Sequence, residues 1–164
     1  MKKTAILFAI ILLIAGCGNA VPTNTEIPPV QTTASEGLNK VTETQCSLIS
    51  DSSTETVTLY TSAPKENGRF EWDDHARWLL EIASENGDVY TVLDSSFSNG
   101  SIYFDILEID SNKYIFVRNI STASDSTTVF TFKDGKLTET NEIDLNGMKD
   151  KAVNLIFTST PNYR

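Results

Sequence analysis

Trp78-Leu79-Leu80-Glu81-Ile82-Ala83, then Ser84-Glu85-Asn86-Gly87-Asp88, then Val89-Tyr90-Thr91-Val92-Leu93 is the stretch whose reading decides the fold. As a strand, it places Trp78, Leu80 and Ile82 on one face, and Asn86-Gly87 turns the chain into a second alternating run. Asn-Gly between alternating apolar residues is a strong short-range hairpin signal, because both residues tolerate positive φ. As a helix, Trp72, Ala76, Leu79, Leu80 and Ala83 would share a face, with Asp73 or Asp74 as cap and Gly87 as stop. The turn favours the hairpin over the helix for residues 73–83.

The same alternation extends in both directions. Upstream, Thr54 to Tyr60 has period two and ends before Ser62-Ala63-Pro64. Lys65-Glu66-Asn67-Gly68 reads as a polar turn, and Arg69 to Trp72 alternates again. Downstream, Gly100 to Ile109, Asp110-Ser111-Asn112 and Lys113 to Arg118 form the expected centre of the sheet. Ile102, Phe104 and Ile106 lie on one face there and Tyr103, Leu107 and Ile109 on the other, as in a strand covered on both sides. Thr127 to Lys133 and Lys136 to Ile143 flank an Asp134-Gly135 turn, and a last strand is expected around Ala152 to Thr158. The reading is all-β: one mostly antiparallel domain of about eight short strands, a meander closing into a sandwich or a partly open barrel. That domain is placed at residues 46–164.

Residues 1–45 read differently. Lys2 and Lys3 precede an uncharged apolar run from Ala5 to Ala15, too short to span a bilayer as a helix and shaped like a secretory signal. Ile14-Ala15-Gly16-Cys17 resembles the lipobox of bacterial lipoproteins. That resemblance implies cleavage between Gly16 and Cys17, a diacylglycerol on the Cys17 sulfur, and usually an acylated new amino terminus. It implies a lipid-anchored protein on the extracytoplasmic face of the cell membrane. Gly18 to about Gln45 is rich in Thr, Ser and Pro with no apolar periodicity, so it is expected to be a disordered tether. Residues 55–164 also resemble β-rich extracellular modules associated with penicillin-sensing metallopeptidase receptors. The residues concerned are Gly68 to Trp72, Trp78 to Leu80, the Asp134-Gly135 hairpin and Asn154 to Phe157. No HExxH motif accompanies them.

Composition narrows the function. The chain carries 13 Lys plus Arg against 22 Asp plus Glu. Without residues 1–16 it has 148 residues, with eleven basic side chains against the same 22 acids, a balance of −11. Such an excess disfavours nucleic acid and anionic head groups, and suits a basic protein partner or cations. With Cys17 lipidated, Cys46 is an odd thiol with no partner for a disulfide framework, expected as a small buried group.

No catalytic constellation is legible. His75 is the sole histidine, so no multi-histidine zinc site forms within one chain. Asp73-Asp74-His75 places adjacent residues on opposite faces of a strand, so no metal is expected. GxSxG, facing carboxylates, a calcium loop and a phosphate-cradling glycine loop are all missing from the pattern. Trp72, Asp73, Asp74 and His75 are the candidate binding surface, with Trp72 the aromatic most expected to be exposed. The expectation is a non-enzymatic binding or accessory module without cofactor, facing an envelope protein or a small ligand. An acidic inhibitory lipoprotein capturing a basic envelope protein is the alternative, and an enzyme using an unrecognised site near His75 the third.

Overall fold

A computed structural model describes residues 24–71, 75–97, 100–121, 125–140 and 151–159. Among them it contains twelve strands and no helix: β1 Thr25–Ile27, β2 Asn39–Cys46, β3 Glu55–Thr61, β4 Lys65–Glu66, β5 Arg69–Phe70, β6 Ala76–Ala83, β7 Val89–Phe97, β8 Gly100–Ile109, β9 Asn112–Ser121, β10 Asp125–Lys133, β11 Lys136–Thr140 and β12 Val153–Thr158. One sheet has the order β2-β3-β6-β7, the other β1-β11-β10-β9-β8-β12, and β4-β5 is a small separate ribbon. All the ladders are antiparallel. Neither large sheet closes on itself, so the domain is a sandwich rather than a barrel.

Alternation decides which side of each sheet faces the core. Val57 and Leu59 on β3, Trp78, Leu80 and Ile82 on β6, and Tyr90 and Val92 on β7 point inward from the four-stranded sheet. Ile102, Phe104 and Ile106 on β8, Ile115 and Val117 on β9, Phe130 on β10 and Leu137 on β11 meet them from the six-stranded sheet. Period-two patterning thus becomes one shared apolar layer, which is the main stabilising contribution of the fold. Tyr90 and Phe132 join the two sheets edge to face, with centroids 5.2 Å apart.

Short turns fasten successive strands. Asn67-Gly68, Asp110-Ser111 and Asp134-Gly135 are two-residue loops with both residues at positive φ, the geometry that matches strand twist. The Asn86-Gly87 turn forms differently from the two-residue version. Residues 84–88 make a wider loop in which only Gly87 has positive φ, at 93°. The Asn86 side chain instead accepts a hydrogen bond from the Asp88 amide at 3.0 Å. The strand pair itself, β6 with β7, forms, and the helix alternative for 73–83 is excluded from residue 76 onward.

Two expectations are corrected. Within its described part, the supposed tether 18–45 is ordered: β1 pairs with β11, β2 pairs with β3, and residues 28–38 run between them. Their polar composition hid this because ladder hydrogen bonds hold them, with only a few apolar side chains such as Ile27 and Val41 packed on the core. Of the two runs expected at the centre of the sheet, β9 is central and β8 is not. The latter lies next to the edge strand β12, and on its outer side Ile109 is buried while Tyr103 and Leu107 are half-buried. The signal segment, Gly16 and Cys17, and Trp72, Asp73 and Asp74 lie outside the described residues, as does Asn146-Gly147.

Candidate functional site

Registered pairing builds a row across the outer face of the four-stranded sheet: Glu43 on β2, Thr58 on β3, Glu81 on β6 and Thr91 on β7. Lys40, Tyr60, Leu79 and Asp94 form a parallel row towards one end, and Thr56, Ala83 and Val89 lie towards the other. Leu79 is wholly buried although alternation turns it away from the central core, so part of this outer face is covered as well.

Residues 30–38 cross that face as a strap. At the β7 edge, Val30 and Val89 exchange two backbone hydrogen bonds of 2.7 and 2.9 Å. The Gln31 side chain donates to Asp88 Oδ1 at 2.9 Å. Midway, the Ala34 amide donates to Glu81 Oε1 at 2.9 Å, and the Thr33 hydroxyl donates to Glu81 Oε2. The strap then turns at Gly37, at φ 77°, and enters β2 at the opposite edge. Glu81 is only 4 % exposed. A carboxylate at that depth requires strong donors, and the strap supplies both.

Between strap and sheet lies a cleft of about 730 Å³. Thr56, Thr58, Tyr60, Ala83 and Val89 form its floor, while Gln31, Thr32, Thr33 and Glu36 form the overhanging wall beside Glu81. This size suits a small molecule. The floor mixes hydroxyl groups with aliphatic surface, and none of the lining residues is a Lys, Arg or His. Chemically the cleft can hold and orient a ligand. Its acid–base groups are Glu81, whose carboxylate already accepts from Thr33 and Ala34, and Glu36.

A second polar cluster lies between the sheets at the β2–β3 end. Glu55 is wholly buried, and its Oε2 accepts the amides of Leu48 at 2.6 Å and Ile49 at 3.1 Å. Its Oε1 has no hydrogen-bond partner among the described residues. Cys46 pairs with Glu55 across the ladder. Burial, and then the Glu55 charge, push the Cys46 thiol up to about 11, with Lys113 opposing. Such a thiol is a poor nucleophile. Lys113 is engaged by Asp51 at 3.1 Å. The cluster reads as a clamp on the 47–54 loop.

The sequence candidates are not gathered at the cleft. His75 is exposed at the start of β6, six residues from Glu81 and so about 20 Å away along the strand. Among the described residues, no group of three or more His, Cys, Asp and Glu side chains is placed to hold a metal ion. Among the described residues, no helix is long and apolar enough to cross a membrane. Sequence reasoning missed Glu81, Thr58 and the strap. One signal was available: a lone acid in the apolar run Trp78 to Ile82, where burial demands a partner from elsewhere in the chain. No protein-family model matches the chain, and neither a curated protein nor a solved structure does so.

Proposed function

We propose that this chain is a lipid-anchored, extracytoplasmic lipoprotein whose β sandwich is a non-catalytic binding module, with the strapped cleft as its ligand site. The observation that carries the binding reading is the cleft itself, roofed by a segment that a buried carboxylate holds in place. The lipobox resemblance of Ile14 to Cys17 supports the anchor. Seven residues separate Cys17 from Thr25, eight steps along the chain, so the sandwich would lie within about 28 Å of an acylated Cys17. That is a much shorter leash than a tether reaching to residue 45.

The test has two arms. Cys17→Ala is expected to leave an uncleaved precursor without acyl label; a variant that matures and takes up label like wild type overturns the anchor. For the cleft, the full chain solubilised in detergent is incubated with envelope extract, and retained small molecules and proteins are identified by mass spectrometry. Glu81→Ala, which unfastens the strap, is expected to abolish retention of the ligand. Retention unchanged by that variant places binding elsewhere.

The balance of −11 favours a second reading, in which the acidic surface captures a basic envelope protein. That binding is long-range and collapses as salt rises, so a basic protein retained only at low salt, with Glu81→Ala without effect, selects it.

A further inference from the structure

The cleft has an electrostatic sign as well as a shape. Two carboxylates, Glu36 and Glu81, line it, and no cationic side chain does. Glu81 receives an amide and a hydroxyl from the strap but no cation. The neighbouring cations on this face are committed elsewhere: Arg77 forms a two-point pair with Asp94 at 2.7 and 2.8 Å, and Lys40 pairs with Glu43 at 3.1 Å. Glu36 is exposed on the strap and, among the described residues, makes no hydrogen bond or ion pair. The hydroxyls of Thr32 and Tyr60 are likewise uncommitted among those residues.

A concave site of one sign, walled by protein, focuses its field on whatever enters. An anion would lose its hydration beside Glu81 and find no compensating charge. A neutral molecule would gain hydrogen bonds alone. An ammonium group gains both the Glu36 carboxylate and hydroxyl acceptors. We propose that the strapped cleft binds a small organic ammonium ion, an amine carried on a hydroxylated or aliphatic body, with Glu36 as its charged contact. This rests on the cleft being the ligand site, and it adds the class of ligand.

Matched pairs of probes that differ only in the amine test it: glucosamine against glucose, and cyclohexylamine against cyclohexanol. Binding to the full chain in detergent is read from amide chemical shifts of residues 31–36, Glu81 and Ala83 at pH 6.5. The amines are expected to move these resonances, and several-fold higher salt to weaken them. Glu36→Gln, an exposed change that leaves the fold intact, is expected to weaken them about three- to fivefold, as for a solvent-accessible ion pair. Equal binding by the neutral partners, or amine binding indifferent to Glu36→Gln, overturns the ammonium proposal while leaving the cleft as a ligand site. Failure of all four probes to move the cleft resonances overturns the ammonium proposal. In that case a ligand from envelope extract still lost in Glu81→Ala preserves the site, and one unaffected by that variant removes the site too.

Discussion

The Ala34 amide donates to Glu81 Oε1 across 2.9 Å and 47 positions of sequence, and with the Val30–Val89 backbone pair this contact ties the strap to the sandwich. Glu81→Ala removes the acceptor for two strap donors without touching the core face of β6. Amide exchange at residues 31–36 is expected to accelerate about tenfold or more, while exchange in β3 and β8 stays near wild type. The loss corresponds to about 1–2 kcal/mol of local stability. Unchanged strap protection would show that Val30 and Val89 hold it unaided.

Glu55 tests the other buried carboxylate. Glu55→Ala strands the Leu48 and Ile49 amides in an apolar interior, at a cost of about 2–3 kcal/mol. Glu55→Gln keeps an acceptor in place and is expected to cost less. Urea midpoints for the two variants give the comparison, and equal midpoints would count against the clamp.

Cys46 gives a pH dependence with a definite sign. Its folded thiol is raised from 9.0 to about 11, so between those values the unfolded chain has shed a proton that the folded chain keeps. Any contribution is therefore intact below pH 9 and is lost as pH rises towards 11. Cys46→Ser is expected to flatten stability in that window relative to wild type. Native alkylation of Cys46 should be slow at pH 8 and rise steeply above pH 10.

Asp110 and Ser111 both sit at positive φ, 49° and 66°, in the β8–β9 turn. The left-handed conformation disfavours a serine by about 1 kcal/mol or more, and glycine avoids that cost. Ser111→Gly is expected to raise Tm by about 3 °C. A lowered Tm would mean that the turn draws more from the serine side chain than from backbone freedom.

A chain cut to begin at Cys46 loses β1, the strap and nearly all of β2, and exposes the β3 edge and the underside of the cleft. It is expected to be aggregation-prone, with poorly dispersed amide resonances. A chain beginning at Asn24 should instead give a dispersed spectrum. Equal behaviour of the two would deny residues 24–45 their structural role.

Much of the sandwich could be read from local pattern. Ile102, Phe104 and Ile106 alternate as a core strand must, and Asp134-Gly135 and the apolar runs around Asn86-Gly87 announce their hairpins. The strap could not be read this way. Thr32, Thr33 and Ser35 bury little apolar surface, so composition alone classes them with disordered chain, and their order depends on Glu81, far off in sequence. Sheet membership was equally hidden, since β1 and β12 pair with strands that are not their sequence neighbours. The cleft follows from those long-range choices, and so it escaped a reading that sought chemistry near His75.

Tension offers another view of the strap. Force applied to the chain upstream of Asn24 would load the three β1 pairs with β11, then the Val30–Val89 bridge, then the two donors on Glu81. These attachments stand in series, and yielding there disturbs few of the inward-facing side chains of β3, β6 and β8. Load from that end would therefore peel the strap from the sheet, and open the cleft, while the ladders that carry the shared core stayed paired.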